Sequence, residues 1–311
     1  HEETITPYSI SILLEHPDID VNLQNRDGFT PLMLAIEVID CDIDIIEMLL
    51  EHPKIDINLK NNNNQTALMV ASKCQIDYPI NEIVELLLKC PDIDINYQDN
   101  NGNTALMIAT KTSEDHPTED IVYMLLKRPE IDVNLKNKEG WTALMIACKD
   151  SEEYSTAEIV EMLLKHPKIN VNLRNKDGKT AFMIASEHST ECIVEMLIEY
   201  PETHVNLRDK NGDTALIMVS GHTTKDTNGY NLKILLKNPK IDVNLQNKEG
   251  RTALMVASRY SKGPSTEETV KMLLEHPKID VNLQDKEGWT ALMGASKYSN
   301  KYSTEGTVKM L

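Results

Sequence analysis

Aromatic residues are scarce in this sequence. Phe, Trp and Tyr make up 5% of its 311 residues, with two Trp and two Phe. A single large hydrophobic core depends on such side chains, because each one buries about 150–250 Å². The 41% hydrophobic content is therefore expected to fill many small interfaces rich in Leu and Met.

Positive charge is also in short supply. Lys and Arg number 32 against 49 Asp and Glu, which gives a formal net charge of -17. Such a field repels nucleic-acid phosphates and anionic lipids, so no nucleic acid and no membrane surface is expected as a partner. No apolar run approaches the roughly 20 residues of a membrane span, and residues 1–10 lack the layout of a signal peptide.

The sequence contains no CxxC motif. Its five cysteines are also odd in number, so neither a disulfide framework nor a metal site is indicated. They are Cys41, Cys74, Cys90, Cys148 and Cys192. We expect an intracellular, cytoplasmic protein without a cofactor.

A repeated tetrad, Thr-Ala/Pro-Leu-Met or a close variant, runs through the chain. It starts at Thr30, Thr66, Thr104, Thr142, Thr180, Thr214, Thr252 and Thr290, with steps of 36, 38, 38, 38, 34, 38 and 38. The Asn of a Val/Ile-Asn pair moves with the same steps, at Asn22, Asn58, Asn96, Asn134, Asn172, Asn206, Asn244 and Asn282. Because two independent marks share one period, the repeat is secure.

Residues 137–173 illustrate one unit. The segment Asn137-Lys138-Glu139-Gly140 is typical of a tight turn, where Gly supplies a positive φ. Thr142 then predicts an N-cap for a short helix to about Lys149. Thr156 predicts the cap of a second helix that Pro167 ends, and the residues after that proline predict an extended segment.

These elements resemble the ankyrin repeat, whose pattern is roughly D-x-x-G-x-T-P-L-H-x-A, a loop, I-V-x-L-L-L and then G-A-x-V-N. The resemblance covers nearly the whole chain. It implies a mainly α fold, an ankyrin-repeat solenoid of helix–turn–helix units with β-hairpin fingers. The implied array has a partial repeat and a truncated repeat at its ends, with the bounds 1–25, 26–61, 62–99, 100–137, 138–175, 176–209, 210–247, 248–285 and 286–311.

The chain departs from this family pattern at two positions in each repeat. Ile217 in one repeat and Met in seven others replace the His of the pattern, at Met33, Met69, Met107, Met145, Met183, Met255 and Met293. Proline replaces the Gly after the second helix, as at Pro167. We interpret the Met series as core packing, although Met can also form an adaptable binding stripe.

Metal binding and catalysis are weakly supported. His16, His52, His166 and His276 precede such prolines, but successive helices about 8–10 Å apart cannot share one ion at a bond length of ~2 Å. A helix-capping role is the better interpretation. No nucleophile with its base, convergent carboxylates or phosphate-binding loop is recognisable, so we expect no enzyme activity.

The residue before each Thr, called the finger slot below, varies most. The slot holds both tryptophans and one phenylalanine, in the series Phe29, Gln65, Asn103, Trp141, Lys179, Asp213, Arg251 and Trp289. The resemblance places it at the finger, facing a concave groove. Trp and Arg often anchor interfaces, so the slot predicts partner binding; the alternative is that each ring packs on the neighbouring finger.

The leading hypothesis is a scaffold or adaptor that binds a protein partner through the concave finger and helix-one surface. One alternative is a substrate-recognition arm of a larger enzyme or ubiquitin-ligase assembly outside this fragment. Another is a structural spacer. Interior-type residues at both ends, such as Ile12, Leu13 and Val308, also predict end-to-end self-association.

The resemblance further implies a modification. Asparaginyl β-hydroxylases act on the Asn of this segment across the family, and three Ile-Asp-Val-Asn sequences place candidates at Asn134, Asn244 and Asn282. The inserted proline lengthens the spacing from the upstream Leu to this Asn.

Overall fold

A computed structural model describes residues 7–38, 42–73, 80–111, 118–149, 154–221, 227–259, 264–298 and 305–311. In these ranges the chain forms α-helices joined by turns, and no β-strand is present. The helices are α1 Pro7–Leu14, α2 Pro31–Glu37, α3 Ile43–Glu51, α4 Ala67–Lys73, α5 Ile80–Lys89, α6 Ala105–Ala109, α7 Glu119–Leu126, α8 Ala143–Lys149, α9 Tyr154–Lys165, α10 Ala181–His188, α11 Glu191–Glu199, α12 Ala215–Gly221, α13 Thr227–Lys237, α14 Ala253–Arg259, α15 Pro264–Leu274, α16 Ala291–Tyr298 and α17 Glu305–Met310. None of these helices is long and apolar enough to cross a membrane.

The first helix of each repeat begins where the tetrad predicts. The Thr142 hydroxyl accepts a hydrogen bond from the backbone N–H of Met145 at 3.3 Å, and Thr104 caps Met107 at 3.2 Å. These bonds satisfy a donor that the first turn leaves unpaired. The predicted start of α8 at Ala143 is confirmed.

The second helix of each repeat is amphipathic. In α5, Ile83, Val84 and Leu87 are buried, at spacings that place them on one helical face. The predicted cap at Thr156 is wrong, because α9 already begins at Tyr154 and Thr156 is buried within its first turns.

The described residues form two compact units. One comprises residues 1–146 with 165–169, and the other comprises 147–164 with 170–311. In the first unit α2 packs on α4 and α4 on α6; in the second, α10, α12, α14 and α16 pack in succession. Each unit therefore has its own core of stacked first helices, and one continuous array across both units stays a prediction.

Most of the Met series lies in these cores. Met33, Met69, Met107, Met145 and Met183 are buried, as are Met255 and Ile217. Met293 differs, since 49% of it is exposed. The prediction of core packing is thus correct at every described position of the series except the last.

The fingers are tight turns without strands. In one of them the backbone N–H of Asn137 donates to the carbonyl of Trp141 at 2.9 Å, and Gly140 donates to Asn137 at 2.8 Å. Gly140 has a φ of 79°, which L side chains rarely adopt. Adjacent fingers are joined within each unit, as where Lys248 N–H donates to the Asn211 carbonyl at 2.9 Å.

The segment after helix two turns sharply instead of staying extended. Turns occupy Val171 and Asn172, and the N–H of Asn172 donates to the Asn170 side chain at 3.1 Å. Asn and Asp favour such local side-chain to backbone bonds, which compete with an extended strand.

Candidate functional site

The finger-slot residues share one degree of exposure. All eight are half-buried: Phe29, Gln65, Asn103, Trp141, Lys179, Asp213, Arg251 and Trp289. The finger turn fixes where each slot residue lies, because the backbone of the slot residue closes the turn. The N–H of Trp289, for example, donates to Asp285 Oδ1 at 2.9 Å. A half-buried side chain contacts its own protein and still presents a face to a partner.

Two polar slot residues pair with the neighbouring finger. Asn137 donates its side-chain amide to Asn103 Oδ1 at 2.9 Å, and Asn247 donates to Asp213 Oδ1 at 2.8 Å. These contacts hold Asn103 and Asp213 in place, and such pre-organisation lowers the entropic cost of binding.

A second position faces the slot from the end of helix one. Lys179 forms an ion pair with the buried carboxylate of Glu187, and the Lys297 ammonium lies 4.4 Å from the centre of the Trp289 ring. Both partners come eight residues after their slot residue. We call this set of residues the helix-end position: Glu37, Lys73, Lys111, Lys149, Glu187, Gly221, Arg259 and Lys297.

Sequence reasoning missed the helix-end position. Its period is as regular as that of the slot, and five of its eight members are basic in an acidic chain. That signal was available from the sequence. It did not reveal that the two positions touch, since this depends on how the finger folds back along the helix.

Two clefts lie along these positions in the second unit. A small cleft of about 60 Å³ is lined by Arg251, Met255, Arg259, Asp285, Glu287, Trp289, Thr290, Gly294 and Lys297. A wider cleft of about 450 Å³ includes Lys179, Glu187, Asp209, Asp213, Glu249 and Arg251 in its walls. Arg251 borders both clefts.

The wider cleft carries an electrostatically strained carboxylate. Burial raises the pKa of Asp213, and the nearby charges of Asp209 and Glu249 raise it further, against the lowering effects of the Asn247 hydrogen bond and Lys179. The ionised form is therefore less favourable than in water. A cation brought close to Asp213 would relieve this cost.

Two of the described cysteines, Cys90 and Cys148, are not activated as nucleophiles. Burial raises the pKa of the Cys148 thiol, and the pKa of Cys90 is raised by burial and by Asp92. A reactive cysteine needs the opposite shift, since its thiolate is the nucleophile. Cys41 and Cys74 lie outside the described residues.

The histidines before proline act as local caps. The Nδ1 atom of His166 accepts a hydrogen bond from the Lys168 N–H at 3.3 Å, and His52 and His276 make the same bond. Burial and the charge of Lys168 lower the pKa of His166. Within the described ranges no group of three or more His, Cys, Asp or Glu residues could hold a metal ion.

The candidate hydroxylation sites differ in their bonding. Asn134 donates its side-chain amide to the Lys168 carbonyl at 2.6 Å, and Asn244 donates to Lys278 at 2.7 Å. The side chain of Asn282 has no hydrogen-bond partner among the residues that the structure describes. Hydroxylation at the three positions stays a prediction.

Comparison with known proteins identifies the repeat. The family model described as ankyrin repeats (3 copies) matches residues 5–99, 44–137, 76–177, 113–209, 153–226, 193–285 and 223–311. A search of curated proteins finds no match.

Solved structures provide similar folds. The crystal structure of EF0377, an ankyrin repeat protein, is 22% identical with a TM-score of 0.57, and the match covers 70% of this chain and 97% of that one. A chain from the complex of the predatory endopeptidase Bd0816 from Bdellovibrio bacteriovorus with the immunity protein Bd3460 is 27% identical. Its TM-score is 0.47, and the match covers 61% of this chain and 91% of that one.

The tetrads, capped first helices and glycine fingers agree with the family match, which extends over almost the whole sequence. The chain therefore belongs to the ankyrin-repeat family, whose members are generally protein-interaction modules and typically not enzymes.

Proposed function

We propose that this chain is a scaffold or adaptor that binds a protein partner through its concave finger and helix-one surface. The residues proposed to make contact are those of the finger slot together with the helix-end position beside it. The observation that carries the proposal is the pairing of a half-buried aromatic slot residue, Trp289, with a cleft lined by charged side chains.

The physical chemistry of the slot supports this assignment. Interface anchors are enriched in Trp and Arg and lie in pockets that become fully desolvated on binding. Trp289 and Arg251 border the same small cleft. At about 60 Å³ this cleft is far below the roughly 300–1,000 Å³ of typical small-molecule sites, which favours a single side chain of a protein partner as its occupant.

A pull-down with mass spectrometry would identify the partner, and slot variants would then test the proposal. We expect Trp141→Ala and Trp289→Ala each to weaken binding by about 2 kcal/mol or more if the rings are hot spots. Tyr230→Ala serves as the control, because Tyr230 is an exposed aromatic residue on a second helix. Affinity and thermal melting should be measured on all three variants.

The outcomes separate binding from packing. A structural ring would cost roughly 3–5 kcal/mol of stability when truncated and leave the affinity unchanged. That result would reject the slot as the binding surface and make the segments between the helices of a repeat the next candidate. Of the tyrosines expected in these segments, Tyr154 instead begins α9, and Tyr78 and Tyr302 lie outside the described residues. Unchanged affinity and stability in both Trp variants would favour a spacer.

A further inference from the structure

Arg251 has an unsatisfied hydrogen-bond donor. Its Nε atom is completely buried and makes no hydrogen bond, and its guanidinium forms no ion pair within the described ranges. Arg remains charged at all physiological pH values and carries five N–H donors. A buried N–H donor without a partner costs free energy. Because Nε is closed to solvent, an incoming acceptor would reach the guanidinium from the small cleft that Arg251 lines.

The small cleft beside Arg251 favours a negative charge. Arg259 and Lys297 also line it, together with the ring of Trp289. Of its two acidic side chains, Asp285 already accepts the N–H groups of Glu287 and Trp289, each at 2.9 Å. The lining thus contains three cationic and two acidic side chains, an excess of one positive charge in a chain whose net charge is -17.

The wider cleft on the other side of Arg251 favours the opposite charge. Asp209, Asp213 and Glu249 line it, and Lys179 is neutralised there by its ion pair with Glu187. A second carboxylate placed in this cleft would meet like charges, and such juxtaposition is strongly unfavourable. An anion that reaches Arg251 is therefore directed to the Trp289 side.

We propose that the small cleft binds the carboxylate of an Asp or Glu side chain from the protein partner, held by the Arg251 guanidinium beside the Trp289 ring. Arg pairs with carboxylates through two parallel N–H···O bonds, and exclusion of water by the indole strengthens them. The inference rests on the proposed function and adds the chemistry of the partner: an acidic side chain at this cleft, with a basic side chain favoured one repeat earlier, near Asp213.

A phage-displayed library of random dodecapeptides, selected on the full chain, tests this proposal. We expect the enriched peptides to share an Asp or Glu, and exchange of that residue for Asn or Gln to weaken binding by at least about tenfold. The Arg251→Gln variant should bind the acidic peptide and its Asn or Gln counterpart with the same affinity. Arg208→Gln, an exposed arginine outside the small cleft, should bind like the unmodified chain.

The thermal melting of Arg251→Gln separates a binding defect from misfolding. We expect no decrease, because the substitution removes a buried donor that lacks a partner. Peptides that lose binding on Trp289→Ala but share no acidic residue and tolerate Arg251→Gln would overturn this inference and leave the proposed function intact. If no peptide is enriched, or all enriched peptides tolerate every slot substitution, both are overturned.

Discussion

The side-chain amide of Asn206 donates a hydrogen bond to the backbone carbonyl of Lys240, one repeat further along the chain, at 2.7 Å. The same side chain accepts the N–H of Asp242 at 3.0 Å. Equivalent pairs of bonds recur at Asn22, Asn58, Asn96, Asn172 and Asn244. The repeated Asn that marks the period is therefore a link between successive repeats.

Removal of one such link should lower stability. We expect Asn206→Ala to lower the free energy of unfolding by about 1–3 kcal/mol, because it deletes two inter-repeat bonds and leaves backbone groups unpaired. Asn282→Ala is the matched control, since the Asn282 side chain has no hydrogen-bond partner in the described ranges, and we expect a change within about 0.5 kcal/mol. Urea unfolding measures both, and equal losses would contradict the linking role.

The same bonds should order the hydroxylation of the candidate asparagines. Asn134 and Asn244 are tied to the next repeat, so an enzyme must first open the local structure, at a cost in free energy. We expect Asn282 to be modified first after co-expression with an asparaginyl hydroxylase, as mapped by peptide mass spectrometry. An unmodified chain would remove the prediction, and modification of Asn134 before Asn282 would reject the proposed order.

Two glycines separate backbone strain from crowding. Gly250 and Gly288 have φ values of 80° and 79°, but a Cβ on Gly250 would lie 2.7 Å from the Lys286 nitrogen, whereas the space around Gly288 is open. Both alanine variants carry the cost of a positive φ, roughly 1–2 kcal/mol. We expect Gly250→Ala to melt at the lower temperature, and identical melting of the two variants would show that the finger contact adds nothing.

Asp213 should give the protein a distinct pH dependence. Burial, Asp209 and Glu249 raise its folded-state pKa above the ordinary value. The folded state therefore binds the proton more tightly, and the Asp213 contribution to stability falls as the pH rises from about 4 through the raised pKa. We expect Asp213→Asn to have a higher free energy of unfolding than the unmodified chain near pH 7. This advantage should decrease as the pH falls.

Urea unfolding between pH 4 and 7 measures this difference. Asp177→Asn is the control for the change in net charge, because Asp177 is exposed and lies in an equivalent finger. A stability difference for Asp213→Asn that stays constant with pH, or that matches the control, would contradict the assignment.

Apolar surface in α16 predicts self-association. Leu292 and Met293 are 43% and 49% exposed, whereas their counterparts Leu254 and Met255 are 1% and 7% exposed. We expect this 311-residue chain to associate at high concentration and Met293→Lys to weaken the association. Tyr230→Lys, on a different surface, should not. Light scattering that shows a strict monomer at millimolar concentration would count against the prediction.

Much of the fold could be predicted because each repeat carries its own local instructions. The Thr hydroxyl caps the first helix from three residues away, and Gly or Asn64, with a φ of 61°, permits the finger turn. The start of α9 was missed because Thr can sit inside a first turn as well as cap it. Strands were expected in the fingers, but the turns close within five residues and leave no length for a ladder.

The candidate site could be predicted only in part. The slot series was found because it varies within a constant frame, whereas its contacts depend on residues from other elements. Lys297 over Trp289 and Glu187 against Lys179 follow from the finger folding along helix one. The lack of a hydrogen-bond partner for the Arg251 Nε atom within the described part of the chain depends on the surrounding elements, which no local pattern encodes.

The sequence by itself determined the period, the helix caps, the turn glycines and the family, because these depend on hydrogen bonds and dihedral angles within a few residues. Tertiary structure decided which equivalent residues are buried, paired or strained. Met255 and Met293 occupy the same position of the repeat, yet only Met255 is buried. Burial and electrostatics depend on the neighbouring elements that exclude water, and those neighbours differ between otherwise similar repeats.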